Sequence, residues 1–290
     1  MMRNDMKKYE NQTFDAERAL YALRSGLVLN CSFQGPADGE SALKECENIT
    51  VENCLFDLRY PLWHSDQGKI EHCRFTPNSR APLWYDKGIE LNNCILNGIK
   101  AVRECDDTRI KNCTIHSPEF GWFCRNLKIT DTVLESEYPF LKSEGIEINA
   151  LKMKAKYSFQ YVKNITIRNS VLDTKDAFWH AQNAIIEDCV ITGEYLGWYS
   201  KNLRFVRCKM TGTQPLCYAE NLVLQDCEMI GTDLAFEYSD VNAKINGSVL
   251  SVKNPKSGRI EADEIHHVIL DENKLPSSSC RIITRTRPAA

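Results

Sequence analysis

The sequence predicts an all-β fold: a single-stranded parallel β-helix of about twelve coils, each of about 19 residues. Three observations predict it. The phrase NITVENCLF at 48–56 returns, 116 residues later, as NITIRNSVL at 164–172. The core of that phrase recurs along most of the 290-residue chain, and turn-forming residues fill two fixed columns of the repeat.

The repeat is counted from its cysteine. That position falls at Cys31, Cys54, Cys73, Cys94, Cys113, Thr132, Leu151, Ser170, Cys189, Cys208, Cys227 and Ser248. The intervals are 23, 19, 21, then seven steps of 19, then 21. Three residues before it every repeat is apolar, from Val28 and Val51 to Ile186 and Ile245; two after it an apolar residue returns, as in Phe33, Phe56 and Ile115. One and six residues before it stand mostly Asn, Asp and Gly, which tolerate left-handed backbone best. Each coil is therefore expected to run strand, one-residue bend, strand, bend, strand and longer turn, stacking on the next at about 4.8 Å. The cysteine column points into a narrow interior that suits a small, weakly polar side chain.

The ends are expected to differ. Residues 1–24 form a capping segment in which DAERALYALR, Asp15 to Arg24, carries helix formers behind an Asp cap and predicts an N-terminal helical cap. The β-helix occupies 25–272, and 273–290, with KLPSSSCRIITRTRPAA, is the C-terminal tail.

With these segments in view, the chain resembles the right-handed β-helices of the pectin-lyase-like superfamily. Stretches such as YPLWHS, APLWYD, DAFWHAQN and GEYLGWYS resemble one bacterial family within it that has no established activity. The resemblance implies the handedness and the fold, and no reaction.

Composition excludes more than it assigns. A net charge of −3 and a pI near 6.1 give no electrostatic footprint for nucleic acid or anionic membrane. The first residues have no apolar core of a signal peptide, so a cytoplasmic, reduced setting is expected for the thirteen cysteines. No CxxC pair, GxSxG, HExxH or phosphate-binding glycine loop occurs; no metal site and no cofactor are expected.

The strand before the first bend carries the candidate site. All five tryptophans, Trp63, Trp84, Trp122, Trp179 and Trp198, stand ten residues before the cysteine position. Strict alternation directs them inward, and a bulge would reverse that. The outward columns are then nine, eleven and thirteen before the cysteine. The first includes His64, Tyr85, Glu104, Lys142, Tyr161, His180, Tyr199 and Tyr218; the second includes Phe140, Phe159 and Phe178; the third includes Glu119, Tyr138, Tyr157 and Asp176. A stripe mixing rings with ionisable groups suggests a binding face. The ligand expected there is an oligosaccharide, its rings packing on sugar faces.

Lys142, Tyr161 and His180, on successive coils of one column, form the best acid–base set for a lyase-like or glycosidase-like reaction. Glu119 and Asp176, about 14 Å apart in this scheme, are too far for a glycosidase pair. The loop GPADGES, with Asp38, Glu40 and Ser41, lies near the start of the face and reads chiefly as a wide turn. The competing reading is a non-catalytic scaffold whose apolar stripe forms a homo-oligomer interface.

Overall fold

The computed structural model describes residues 7–35, 40–275 and 277–285, so Asp38 lies outside the described residues. They divide into two compact units, residues 1–147 and 148–290. Each is a parallel β-solenoid, with about 14 turns in all at about 19 residues per turn, and no helix occurs among the described residues. No helix long and apolar enough to cross a membrane is therefore present among them.

In the first unit, Gly26–Leu29, Glu47–Glu52, Asp66–Glu71, Lys87–Asn92 and Arg109–Lys111 pair in parallel, each one coil above the last. In the second, Lys163–Arg168, Gln182–Glu187, Lys201–Val206 and Leu222–Glu228 do the same. Inside, Phe14, Phe33, Phe56 and Phe75 stack at 4.7–5.0 Å in the first unit, and Phe159 on Phe178 at 5.0 Å in the second.

The bends lie where the turn residues predict them. Asn48, Asn126, Asn164 and Asn183 have φ between 53° and 57°, and Asn53, Asn112, Asn169 and Asp188 between 51° and 53°. His72, Ala150 and Arg207 adopt the same left-handed state without the usual residue type. The cysteine column explains how such bends are tolerated. At Cys31, Cys54 and Cys94 the backbone N–H that follows a bend donates to the sulfur one coil on, as Cys31 N does to Cys54 Sγ at 3.3 Å and Cys54 N to Cys73 Sγ at 3.4 Å. The thiol in turn donates to the carbonyl two residues earlier, as Cys73 Sγ does to Glu71 O at 3.2 Å. Thr132 and Ser170 accept the same N–H bonds with hydroxyls. The column selects small side chains that both donate and accept, satisfying backbone groups that burial would otherwise leave unpaired.

Four expectations are corrected. Asp15–Arg24 forms no helix: Arg18, Leu20 and Ala22 are left-handed, and the N–H groups of Arg18 and Ala22 donate to Glu40 O and Lys44 O of the next coil at 2.9 Å each. Pairing between coils overrides the local helix propensity there. The coils exceed twelve because Lys7–Glu10 pairs with Gly26–Leu29 at one end and Arg281–Thr284 with Ser257–Ala262 at the other. In the last repeat the register slips, so that Ile245 rather than Ser248 stands opposite Cys227.

The fourth correction concerns the aromatic side. The residues eleven before the cysteine, Leu43, Leu62, Phe140, Phe159 and Phe178, are fully buried rather than outward. The tryptophans are half-buried at the rim rather than inside. Strict alternation fails because left-handed residues recur at every second position: Leu62 and His64, Phe140 and Lys142, Phe159 and Tyr161, Phe178 and His180 have φ of 51–67°. Side chains then leave the backbone in pairs, two in and two out, instead of one by one.

Candidate functional site

In the first unit this geometry makes two adjoining stacks. Along the rim, Lys44 Nζ lies 4.2 Å over the Trp63 ring, Trp63 stacks on Trp84 at 5.5 Å, and the Arg103 guanidinium lies between Trp84 and Trp122, 5.7 and 5.8 Å from their centroids. Arg103 is thus accommodated in a tryptophan column by cation–π contact on both sides. Outside it, His64 stacks on Tyr85 at 5.0 Å, and Glu104 follows on the next coil.

Arg103 Nε donates to Glu104 Oε1 at 2.9 Å. Partial burial pulls the Glu104 carboxyl up, but Arg103 and the Tyr85 hydroxyl more than offset it and hold the group below the usual carboxylate range. Glu104 is therefore a fixed anion, unsuited to donating a proton. An open groove of ≈ 920 Å³ runs over this region, lined among others by His64, Tyr85, Glu104, Phe123, Arg125 and Lys142. Arg125 is held bidentately by Asp106 at 2.9 and 2.6 Å. Glu119 lies 3.6 Å from Lys100 Nζ on the coil below, and Tyr138 packs edge-on against Trp122 at 6.2 Å.

In the second unit the outer column is a continuous stack. Tyr161, His180, Tyr199, Tyr218 and Tyr238 follow one another at 4.8, 5.2, 4.8 and 5.5 Å, the first four nearly parallel. Trp179 and Trp198 stack beside it at 5.5 Å, and their indole N–H groups donate to Tyr195 O and Gln214 O. Tyr161 and Tyr199 are 47% and 48% exposed. Tyr157 and Asp176 are half-buried in the inner column. Burial raises the Asp176 carboxyl above its ordinary range, and its Oδ1 has no hydrogen-bond partner.

Tyr161 and His180 touch in the second unit, while Lys142 belongs to the first and lines its groove. Sequence reading missed Tyr238 as the fifth ring, because the register slip that follows Leu224 puts it out of count. It also missed the clamping of Arg103, for which two flanking tryptophans at the same column position were the available signal.

Residues 7–283 match the family described as a protein of unknown function (DUF3737). No curated protein matches the chain. Among solved structures, that of PfbA, a surface adhesin of Streptococcus pneumoniae, aligns with a TM-score of 0.51 and 8% identity over 83% of this chain and 82% of that one. That likeness carries the solenoid fold. The periplasmic alginate epimerase AlgG aligns with a TM-score of 0.40 and 11% identity, over 89% of this chain and 77% of its own.

Proposed function

The chain belongs to the DUF3737 family, and from that premise, which assigns no chemistry, we propose that its exposed aromatic columns bind an extended oligosaccharide. The observation that carries the reading is the five-ring stack of the second unit. Rings 4.8–5.2 Å apart and nearly parallel cover one another's faces, so the ligand meets ring edges rather than the faces expected for sugar stacking. What faces solvent is a row of phenol hydroxyls and one imidazole edge, repeated once per coil and flanked by indole rims. A linear polymer with hydroxyl groups on every unit matches such a row of regularly spaced donors and acceptors. The groove of the first unit, with Tyr85, Glu104 and Lys142, offers the same chemistry with fixed charges.

The test separates hydroxyl from ring. Wild type and the variants Tyr199→Phe and Tyr218→Phe are titrated calorimetrically with the hits of an oligosaccharide panel. Phenylalanine keeps the stack and removes the contact, so affinity falls about three- to tenfold per hydroxyl. No binding to any member of the panel, or full affinity in both variants, overturns the reading.

Processing of the bound chain is favoured by one observation: Asp176, with its desolvated carboxyl and unpartnered Oδ1, shares a coil with Trp179 and His180. Asp176 is then the general acid, and His180 with Tyr161 the proton acceptor, Lys142 serving the ligand in the first unit's groove. Asp176→Asn would lower product formation about a hundredfold or more while sparing binding; an intact oligosaccharide after prolonged incubation with wild type refutes this.

A further inference from the structure

The five-ring stack of the second unit has a spacing as well as a chemistry. Tyr161, His180, Tyr199, Tyr218 and Tyr238 stand one to a coil, with ring centroids 4.8, 5.2, 4.8 and 5.5 Å apart. The strands that follow the rings set this step, because Lys163–Arg168, Gln182–Glu187, Lys201–Val206 and Leu222–Glu228 pair in parallel, each on the last. A second period runs over the first four rings. Tyr161 and Tyr199 are 47% and 48% exposed, whereas His180 and Tyr218 are half-buried. The row therefore advances by one coil, and its protrusion repeats every second coil.

Linear glycans differ in how they lay out their hydroxyl groups. A β-(1→4)-linked chain of gluco- or manno-configured sugars is joined through equatorial bonds, so it is a straight, flat ribbon. It advances by about one coil spacing per sugar, and each sugar is turned over relative to the last. One edge of the ribbon thus shows the same group at every second sugar. α-(1→4)- and β-(1→3)-linked glucans coil instead, and leave a straight row within a few sugars.

Charge narrows the class. A uronan carries a carboxylate on every sugar and is best met by a cation on every coil. The column two residues beyond the rings holds Lys163, Gln182, Lys201 and Glu220, all exposed, and Lys201 is held by Glu220 at 3.0 Å. Next to it the amides of Asn183, Asn202 and Asn221 each donate one coil back, at 2.8–3.0 Å. Such a border suits hydroxyl groups better than a line of carboxylates.

We infer that the ligand of this stack is a neutral β-(1→4)-linked glucan or mannan, laid along the solenoid with one sugar to each coil. The inference rests on the reading of the stack as an oligosaccharide site and adds the linkage and charge of the chain.

Calorimetric titration of the full chain with length-matched series tests it: cello- and manno-oligosaccharides against malto-, laminari- and galacturono-oligosaccharides. For the cello- or manno-series, affinity is expected to rise with each added sugar up to five, one for each ring, and then to level. At that length it exceeds the other series about tenfold or more, since a chain that leaves the row gives up at least two hydroxyl contacts. The double variant Tyr161→Phe, Tyr199→Phe keeps the stack and is expected to lose most of that preference. Tighter binding of another series, equal affinity across the panel, or a preference that survives the double variant overturns the inference and leaves oligosaccharide binding standing. Binding of no series overturns both.

Discussion

Asp86 shows what the interior asks of a single residue. It stands in a column, eight before the cysteine, otherwise filled mostly by Cys, Ser, Val and Ala, and its Oδ1 accepts the Ser65 N–H at 2.6 Å, as the Ser65 hydroxyl accepts the Cys46 N–H. A carboxyl brings a second oxygen, and Oδ2 has no partner. Burial raises the Asp86 carboxyl well above its ordinary range. The folded state therefore holds a proton that the unfolded chain releases, and stability falls as pH rises from about pH 4 toward the raised value. Asp86→Ser keeps an acceptor and removes the orphan; denaturant unfolding is expected to show a gain of about 1–3 kcal/mol at neutral pH and a flatter pH dependence. Buried thiols elsewhere in the chain are held neutral for the same reason, burial pushing Cys46 up to about 11 and Cys217 up to about 12. At this scale the sequence was informative where chemistry and conformation coincide. Asn48, Asn53 and Asn164 announce left-handed bends because few other residues take them cheaply. Leu62, Phe178 and His180 take the same conformation with no mark in their type, held there by bonds from coil to coil.

Among elements, that silence accounts for the misplaced aromatic side. The two sides with ordinary strands follow alternation, so the columns three before and two after the cysteine were legible as core. The third side alternates in handedness instead, and the composition of its columns cannot reveal which pair turns inward. Phe178 was expected outside; it lies fully buried between Phe159 and Phe205. Phe178→Ala should cost about 3–5 kcal/mol in chemical denaturation, whereas truncation of a solvent-facing ring would be nearly neutral. The bends make a second prediction. Asn183 donates to Asn164 and accepts from Asn202 in an amide ladder, with φ of 56°. Asn183→Val should cost about 2 kcal/mol, combining a left-handed β-branched residue with the lost ladder bonds, and Asn183→Gly clearly less. Equal effects would mean that the ladder, not the backbone, sets the cost.

For the molecule, the repeat makes stability nearly additive from coil to coil. Excising residues 183–201 joins Gln182 to Asn202, which preserves every column because Gln182 already stands opposite Lys201. The shortened chain is expected to remain folded by circular dichroism, with a lower midpoint and one ring fewer in the outer stack; collapse of the signal would show that the turns do not act as interchangeable modules. The general architecture was readable because spacing is a property of the whole chain and survives local ambiguity. Of the candidate residues that share a column by count, Lys142 lines the groove of the first unit and Tyr161 stacks on His180 in the second.

Twelve of the cysteines are buried and unoxidised, with Cys280 half-exposed. Any turn that opens releases its thiol to an alkylating reagent, and each adduct adds one fixed increment of mass. Fraying from the ends would thus be recorded as a series of whole-number steps in an intact-mass spectrum, beginning with Cys280. The same arrangement sets a chemical deadline on renaturation: once several sulfurs meet air together, mispaired bridges trap the open chain, and a reversible transition becomes a one-way loss.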